Sequence, residues 1–234
     1  MALIIVAKAE MARSHPTPEP AVLLLSKVFA MRPLDVLAIG AHPDDIELGC
    51  GASLAKLARQ GARIRALVLS AGDAGAADGH ARRAETRQAL ERLGVCDLVQ
   101  ADLPDTALDV HRAEIIALIE AHCAQLQPDR VYTMFENDRH QDHRAVFLAS
   151  IIACRRVPQV LSYETPSSWP NFAPVIFEPV GKFLEQKIAS IQLHRSQGHR
   201  DYMQPAHLRS HATFRGCQIG QGPCEGFVPH KVVL

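Results

Sequence analysis

The hydrophobic residues of the chain fall into short, nearly continuous apolar runs that alternate with longer segments of helical periodicity. The runs are short enough to be buried strands. Those before residue 135 cover residues 34–39, 63–69, 97–99 and 130–134. Helices are predicted between them over residues 48–59, 80–93 and 115–126. Gly61 and Gly94 follow the first two helices, where a helix C-cap favours glycine, and Pro128 follows the third.

This alternation of strands and helices predicts the fold class. Strands that are apolar along most of their length are typical of a parallel sheet covered on both faces, with right-handed crossovers. We therefore expect a Rossmann-like, doubly wound α/β domain with a mainly parallel sheet and the strand order 3-2-1-4-5.

The last third of the chain breaks the alternation. After an apolar run over residues 160–163 come a proline-rich stretch, a helical pattern around residues 183–193 and a tail rich in Gly and Cys. These features predict an irregular C-terminal cap, over about residues 164–234, that shapes a pocket.

Residues 1–32 precede the first predicted strand and match no element of this pattern. We expect them to form an N-terminal extension and residues 33–234 to form a single domain. A chain that starts at Met31 should then keep a competent active site.

The composition of this 234-residue chain argues against several classes of function. Lys and Arg together number 25, and Asp and Glu together also number 25. A basic surface that would bind nucleic acid or an anionic membrane is therefore not expected. The early apolar run over residues 2–7 is too short for a membrane span and lacks the flanks of a secretory signal. The sequence thus predicts a cytoplasmic protein with a small-molecule partner, and it leaves a homo-oligomer open.

The six cysteines have no CxxC spacing. Scattered cysteines of this kind are typical of reduced thiols, although Cys217 and Cys224 are near enough in sequence to pair.

Two polar loops follow the first and fourth predicted strands. They read Ala41-His42-Pro43-Asp44-Asp45 and Asn137-Asp138-Arg139-His140-Gln141-Asp142-His143. In the order 3-2-1-4-5 these strands are neighbours, and open α/β sheets bind ligands beyond the carboxyl ends of strands at such a switch point. The two loops are therefore expected to face each other across one site.

The first loop and the end of the second carry the residue types of a catalytic zinc site. Such a site needs three nitrogen or carboxylate ligands and an open position for water. We expect His42, Asp45 and His143 to bind the metal. Because consecutive side chains point in different directions, Asp44 would turn toward the water and act as the general base.

The second loop offers a further group for catalysis. His140 lies three residues before His143, so both imidazoles are expected to face the mouth of the pocket. His140 would donate a proton or polarise a carbonyl. Asp142 would hold one of these imidazoles in its tautomer.

These loops resemble those of the PIG-L and LmbE-like zinc-dependent N-deacetylases, and the resemblance covers about residues 34–232. It is also carried by Gly49-Cys50-Gly51, Gly72-Asp73-Ala74-Gly75, Arg82 with Glu85, Tyr163-Glu164, Ser196-Gln197, Arg215-Gly216 and Cys224-Glu225-Gly226-Phe227. The resemblance implies a zinc ion on His42, Asp45 and His143, with Asp44 as the base. It further implies that His140, paired with Asp142, is the acid or the oxyanion-stabilising group.

The resemblance also implies the reaction. A metal-dependent hydrolase would remove the acetyl group from an N-acetylated amino sugar or its conjugate, of the N-acetylglucosaminyl type, and release acetate and a free amine. Arg82, Asp73 and Glu164 would contact the substrate. Asp73 stands where the family often has Glu, and Cys224-Glu225-Gly226-Phe227 stands where it commonly has Ala-Glu-Ala-Phe.

Several alternatives are weighed against this interpretation. A non-catalytic Rossmann-like protein that binds a sugar or nucleotide would keep only a vestigial metal site, but decay would have removed at least one of the four polar residues above. Gly49 and Gly51 lack the third glycine of a dinucleotide fingerprint, since residue 54 is Leu. Arg82 also suits a solvated helix face. Trp169 would either stack on a sugar or anchor its loop.

Overall fold

A seven-stranded sheet forms the centre of the computed structural model, which describes residues 32–75 and 79–233. Its strands are β1 (Asp35–Gly40), β2 (Arg63–Ser70), β3 (Asp97–Leu103), β4 (Arg130–Thr133), β5 (Gln159–Tyr163), β6 (Ile176–Pro179) and β7 (Cys224–Val232). Their order in the sheet is β3-β2-β1-β4-β5-β7-β6. The first five strands are parallel, and β7 runs antiparallel to both β5 and β6. The predicted order 3-2-1-4-5 and the mainly parallel sheet are confirmed.

Helices cover the two faces of this sheet. They are α1 (Asp45–Arg59), α2 (Gly79–Arg92), α3 (Arg112–Leu126), α4 (Gln141–Ala153), α5 (Leu184–Ile191) and α6 (Pro205–Cys217). The chain changes direction across the sheet after β3, so right-handed crossovers place α1 and α2 on one face and α3 and α4 on the other. Within the described ranges, no helix is long and apolar enough to cross a membrane.

The start of α1 is set by the loop before it. The helix begins at Asp45 rather than at residue 48, because Asp44 adopts a left-handed backbone with φ 96° that turns the chain directly into the helix. The N-terminal extension predicted over residues 1–32 lies outside the described residues, except for Arg32.

The C-terminal third is more regular than predicted. The expected irregular tail instead contains α6 and β7, and β7 inserts between β5 and β6. Gly226 and Pro229 weaken the local strand signal, but Gly226 pairs with β6 and Pro229 pairs with β5, and this pairing overrides the weak propensity. Cys217 is exposed, Cys224 is buried, and both are free thiols.

A buried ion pair joins β7 and α5 to the first half of α1. The Glu225 carboxylate accepts hydrogen bonds from the backbone N–H groups of Ala52 and Ser53, at 3.1 and 2.7 Å. Lys187 Nζ donates to Glu225 Oε1 and to the carbonyl oxygen of Leu48, both at 2.6 Å. The C-terminal residues therefore fix the helix that follows the first polar loop.

Gly49 allows α1 to approach β5 closely. The buried ring of Tyr163 lies against it, and the Tyr163 hydroxyl donates to the carbonyl oxygen of Ile39 at 2.7 Å. A Cβ atom on residue 49 would lie only 2.0 Å from Cδ2 of that ring. The glycine therefore serves close packing rather than a phosphate-binding turn, in agreement with the missing third glycine of the dinucleotide fingerprint.

Gly49→Ala should lower the free energy of unfolding by about 1–3 kcal/mol, since the ring is buried and the added methyl group overpacks the contact. Urea denaturation measures the change. Gly222→Ala is the control, because a Cβ there meets nothing within 4 Å, and it should shift stability by less than about 0.5 kcal/mol. Equal effects of the two substitutions would contradict the proposed contact.

Candidate functional site

A cavity of about 490 Å³ opens at the carboxyl ends of β1 and β4. Its wall is formed by His42, Asp44, Asp45, Leu48, Ala74, Gly75, Arg82, Asp105, Thr106, Arg139, His140, His143, Thr165, Pro166, Ser167, Gln197, Arg200 and Tyr202. The loops after the two strands meet here, as their neighbouring positions in the sheet require. Most residues predicted for the site therefore lie in one cavity.

Two adjacent carboxylates in the first loop face different partners. Asp45 Oδ2 accepts a hydrogen bond from the backbone N–H of His42 at 2.7 Å, so this carboxylate folds back over the loop. Asp44 Oδ2 instead lies 3.4 Å from Nη2 of Arg82. The left-handed backbone at Asp44 separates the two side chains.

Three imidazoles surround the Asp45 carboxylate. The ring centroids of His42 and His140 are 4.6 Å apart, those of His140 and His143 are 4.7 Å apart, and those of His42 and His143 are 5.4 Å apart. Asp45 lies 3.5 Å from His42 Nδ1 through Oδ2 and 3.3 Å from His143 Nε2 through Oδ1. Nitrogen atoms of the three imidazoles also come within 4.8 Å of one another.

His42 and His143 each have a carboxylate on the ring nitrogen that faces away from Asp45. His42 Nε2 lies 3.0 Å from Asp105 Oδ1 and 3.0 Å from Asp142 Oδ2. His143 Nδ1 lies 3.0 Å from Asp138 Oδ2. Metal-binding histidines show this arrangement, in which a carboxylate on one nitrogen orients the ring and leaves the other nitrogen for the metal.

The carboxylates decide the pKa values of these imidazoles. Burial opposes the charged form of His143, but the negative charge of Asp45 and the bond to Asp138 outweigh burial and raise its pKa to about 9. Burial also lowers the pKa of His42, but the hydrogen bonds to Asp105 and Asp142 outweigh this effect and raise the pKa well above its usual value. The cluster therefore attracts positive charge.

Asp142 differs from its prediction. Its carboxylate faces His42 and accepts from the N–H groups of Thr106 and Leu108, at 2.8 and 3.1 Å, instead of pairing with His140. The predicted carboxylate pairing with His140 is therefore wrong. Asp142 lies in the first turn of α4, from which its side chain reaches the loop after β3.

The backbone of Asp142 orients His140. The Asp142 N–H donates to His140 Nδ1 at 3.3 Å, and His140 is the N-cap of α4. This bond leaves the proton of a neutral imidazole on Nε2. Burial lowers the pKa of His140, and the charges of His42 and His143 lower it further, so the ring stays neutral.

Burial raises the pKa of Asp44 to about 6, and the charge of Asp45 adds to this effect. The positive charges of His194 and Arg82 oppose it. Behind Asp44, His194 Nε2 lies 2.9 Å from Glu47 Oε1, and neither side chain is accessible to solvent. The pKa of the adjacent Asp45 is shifted in the opposite direction, because His143 and His42 outweigh burial and hold it well below its usual value.

Arg82 is buried and does not form a solvated helix face. Its Nη1 donates to the Gly72 carbonyl oxygen at 2.6 Å, and its Nη2 donates to that of Pro43 at 2.9 Å. Gly72 has φ 70°, and a Cβ there would lie 2.3 Å from Arg82 Nη1. Arg82 therefore joins two loops of the cavity wall and positions Asp44.

The structure does not bring Asp73 and Glu164 into this cavity. Asp73 is exposed and outside the lining, since its neighbours Ala74 and Gly75 form the wall. The Glu164 carboxylate accepts from Arg215 Nη2 at 2.6 Å and from His211 Nε2 at 2.7 Å, beside a neighbouring cavity of about 460 Å³. Their predicted substrate contacts are not supported by these positions.

Asp105 and Asp138 are site residues that the sequence analysis missed. Asp105 follows β3 and Asp138 follows β4, so each lies at the carboxyl end of a parallel strand, as the predicted site residues do. Asp138 lies in the second polar loop but was assigned no role, and Asp105 belongs to no recognisable motif, so its position relative to the sheet was the available signal.

Known proteins share both the sequence and the fold of this chain. Residues 37–154 match the family model of PIG-L, described as GlcNAc-PI de-N-acetylase. The uncharacterized deacetylase YaiS of Escherichia coli is 45% identical over 167 residues, which cover 69% of this chain and 90% of YaiS. The probable N-acetyl-α-D-glucosaminyl L-malate deacetylase 2 of Bacillus cereus is 27% identical, over 69% of this chain and 83% of that protein.

A solved structure agrees with these matches. The N,N′-diacetylchitobiose deacetylase of Pyrococcus horikoshii, complexed with its inhibitor MPG, aligns with a TM-score of 0.72 and 25% identity. The alignment covers 93% of this chain and 94% of that protein. The chain therefore belongs to the PIG-L deacetylase family.

Proposed function

We propose that this protein is a zinc-dependent deacetylase that hydrolyses the acetamide group of an N-acetylated amino sugar or its conjugate. The products are acetate and a free amine. One observation carries the proposal: two imidazoles, each backed by carboxylate, converge on Asp45, while the neighbouring carboxylate of Asp44 remains beside them in the cavity. Family membership supports the reaction, and the relatives named above support N-acetylglucosamine-type substrates.

His42, Asp45 and His143 would hold the metal. Asp45 Oδ2 lies 3.5 Å from His42 Nδ1 and Asp45 Oδ1 lies 3.3 Å from His143 Nε2, so the carboxylate and both imidazoles are close enough to share one ion. Nitrogen and carboxylate donors suit Zn²⁺ as well as other divalent transition metals. When bound, the metal supplies Lewis acidity for the acetamide carbonyl and for the attacking water.

Asp44 is assigned the role of general base. Its carboxylate takes a proton from the attacking water as the new C–O bond forms, and Arg82 holds that carboxylate in place. As the C–N bond breaks, the proton passes from Asp44 to the leaving nitrogen, so that the sugar departs as a neutral amine. A pKa near 6 suits a group that must first accept and then return a proton near neutral pH.

His140 is assigned the stabilisation of negative charge on the carbonyl oxygen. Its neutral ring carries the proton on Nε2 because Nδ1 accepts from the backbone of Asp142. A fixed N–H donor of this kind stabilises the oxygen more as its charge grows. His140 therefore contributes to the reaction without being a metal ligand.

Asp44→Asn should keep the metal and lower kcat by ~10²–10⁴-fold, because the side chain keeps its shape but no longer accepts a proton. Asp45→Ala, the matched neighbour, should lose both metal and activity. Metal content and kcat are measured on the same preparation. Metal loss in Asp44→Asn would make Asp44 a ligand, and full activity with metal retained would remove it from catalysis. An inactive wild type that binds metal would instead favour the sugar- or nucleotide-binding alternative.

His143→Ala and His140→Ala distinguish a metal ligand from an oxyanion donor. A nitrogen atom of each imidazole lies within 4.8 Å of a nitrogen atom of His42, so either ring could contribute to a metal site. We expect His143→Ala to bind zinc at least tenfold more weakly, and His140→Ala to bind zinc like wild type while losing about 10²-fold or more in kcat. Competition with a chelator measures affinity. If His140→Ala loses zinc instead, the metal lies among the three imidazoles.

Activity should fall as pH decreases through about 6. Asp44 must be ionised to accept a proton, and its pKa is raised to about 6, so acid removes the base. Arg82→Gln removes a positive charge that lowers this pKa, so the acidic limb should move to higher pH, whereas Arg82→Lys should move it less. The pH profile of kcat/KM tests both statements. An acidic limb unchanged in Arg82→Gln would contradict the assignment of that limb to Asp44.

A further inference from the structure

Two cysteine thiols lie in contact at the carboxyl ends of α3 and α4. Cys123 Sγ is 3.8 Å from Cys154 Sγ, although 31 residues separate the two in the sequence. Cys123 lies in the last turn of α3, and Cys154 is the C-cap residue of α4. Both are free thiols, and neither lines the catalytic cavity. The proposed deacetylation therefore does not account for this pair.

The packing of α3 against α4 holds the two thiols side by side. Arg155, which directly follows Cys154, forms an ion pair with Glu120, one turn before Cys123. This ion pair joins the same two helix ends at the surface. Sulfur atoms in a disulfide are about 2.05 Å apart, so the two thiols must approach by about 1.8 Å to form one. Formation of a disulfide here needs no rearrangement of the fold.

Nearness in sequence does not select the pair. Cys217 and Cys224 are close enough in sequence to pair, but Cys217 is exposed whereas Cys224 is buried. The Cys224 thiol instead donates to the carbonyl oxygen of Gly222 at 3.2 Å. The contact between Cys123 and Cys154 is a product of the fold, and no spacing along the chain indicates it.

The two thiols differ in exposure and acidity. Cys123 is partly buried, whereas Cys154 is only 1% exposed. The hydrogen bond from the Cys154 thiol lowers the pKa of Cys123, against the opposing effects of burial and of the Glu120 charge. The same contact, together with burial, raises the pKa of Cys154. Because oxidants react with accessible thiolates, Cys123 is the attacking thiol and Cys154 the resolving one.

We propose that Cys123 and Cys154 form a redox pair that hydroperoxides convert reversibly to a disulfide, which holds α3 against α4. This inference does not depend on the proposed function. The segment between the two residues contains β4, the second polar loop and most of α4. Closing this segment into a loop restricts the unfolded chain, so oxidation stabilises the folded state of the part that carries His140 and His143.

The oxidation consumes one hydroperoxide for each disulfide. The Cys123 thiolate attacks one peroxide oxygen, the O–O bond breaks, and the other oxygen takes up the proton lost from Cys123 and leaves as water or an alcohol. Cys123 is now a sulfenic acid. The Cys154 sulfur attacks the sulfur of this group, the S–O bond breaks, and the leaving hydroxide takes the Cys154 proton to form water. The two thiols lose two electrons, and the peroxide gains them.

Mass spectrometry of tryptic peptides tests the bond. The peptides 113–130 and 145–155 carry Cys123 and Cys154 and no other cysteine. The full chain is treated with hydrogen peroxide at low protein concentration, and the remaining thiols are blocked before digestion. We expect the two peptides to be joined and dithiothreitol to separate them. Cys96 is exposed, so its oxidation in the same sample shows that the peroxide was active.

Variants and thermal unfolding assign the effect to this pair. Cys123→Ala and Cys154→Ala should each abolish the joined peptides, whereas the control Cys96→Ala should keep them. The oxidised wild type should have a Tm about 5 °C or more above that of the reduced protein, because the disulfide closes a long loop. Peroxide should change the Tm of Cys154→Ala by less than about 1 °C. The peptide result on the wild type decides the bond even where an alanine variant fails to fold.

Three results would overturn the inference. The first is that both thiols survive while Cys96 is oxidised. The second is that Cys123 is oxidised to a sulfinic acid beside an unreacted Cys154, or that either residue bonds to a second chain. The third is that the peptides are joined without a rise in Tm, which rules out the stabilising contact between the helices. None of these measurements uses turnover, so their failure leaves the deacetylase assignment standing.

Discussion

The site depends on the neutralisation of buried negative charge. The carboxylates around His42 and His143 belong to Asp45, Asp105, Asp138 and Asp142. Charges removed from water are costly unless they are paired. Two imidazoles supply at most two positive charges to four carboxylates, so the cluster keeps an excess of negative charge even with both rings protonated. In the proposed site a divalent cation would replace these two protons with an equal positive charge, held directly by Asp45 and the two rings.

The sheet brings these charged side chains together. Each carboxylate lies in a loop or at a helix start that follows the carboxyl end of a parallel strand. The neighbouring strands β1 and β4 hold the two histidine loops side by side, and the core residues of β1 are inaccessible to solvent. The C-terminal third does more than cover the pocket, because it also makes the first helix rigid. Through Glu225 and Lys187 it fixes the helix that begins at Asp45. Asp45, at the first position of a helix fixed in this way, has little freedom to move, and this favours a preorganised site.

The sequence predicted the parts of this site that depend on strand order, and it missed those that depend on side-chain direction. Adjacent strands imply facing loops, so His42, Asp44, Asp45, His140 and His143 could all be placed in one cavity before the structure was known. The direction of Asp142 follows instead from its place in the first turn of α4. Asp105 has no local pattern around it, and nothing in the loop that contains Asp138 indicates that its carboxylate contacts His143. β7 was missed for a related reason, because its Gly and Pro residues form a strand only through long-range pairing, Gly226 with β6 and Pro229 with β5.

Asp44 and Asp45 show how one backbone turn can give two neighbouring carboxylates different chemistry. Both are buried, so burial raises the pKa of each. Asp45 lies between two imidazoles that outweigh this effect, whereas Asp44 faces Arg82 at 3.4 Å and feels the charge of Asp45 as well. The left-handed backbone at Asp44 is therefore the local cause of the division of roles, since it directs one carboxylate into the imidazole cluster and the other away from it. Pairs of acids whose environments push their pKa values apart are the usual basis for separating a charge-stabilising group from a proton-transferring one.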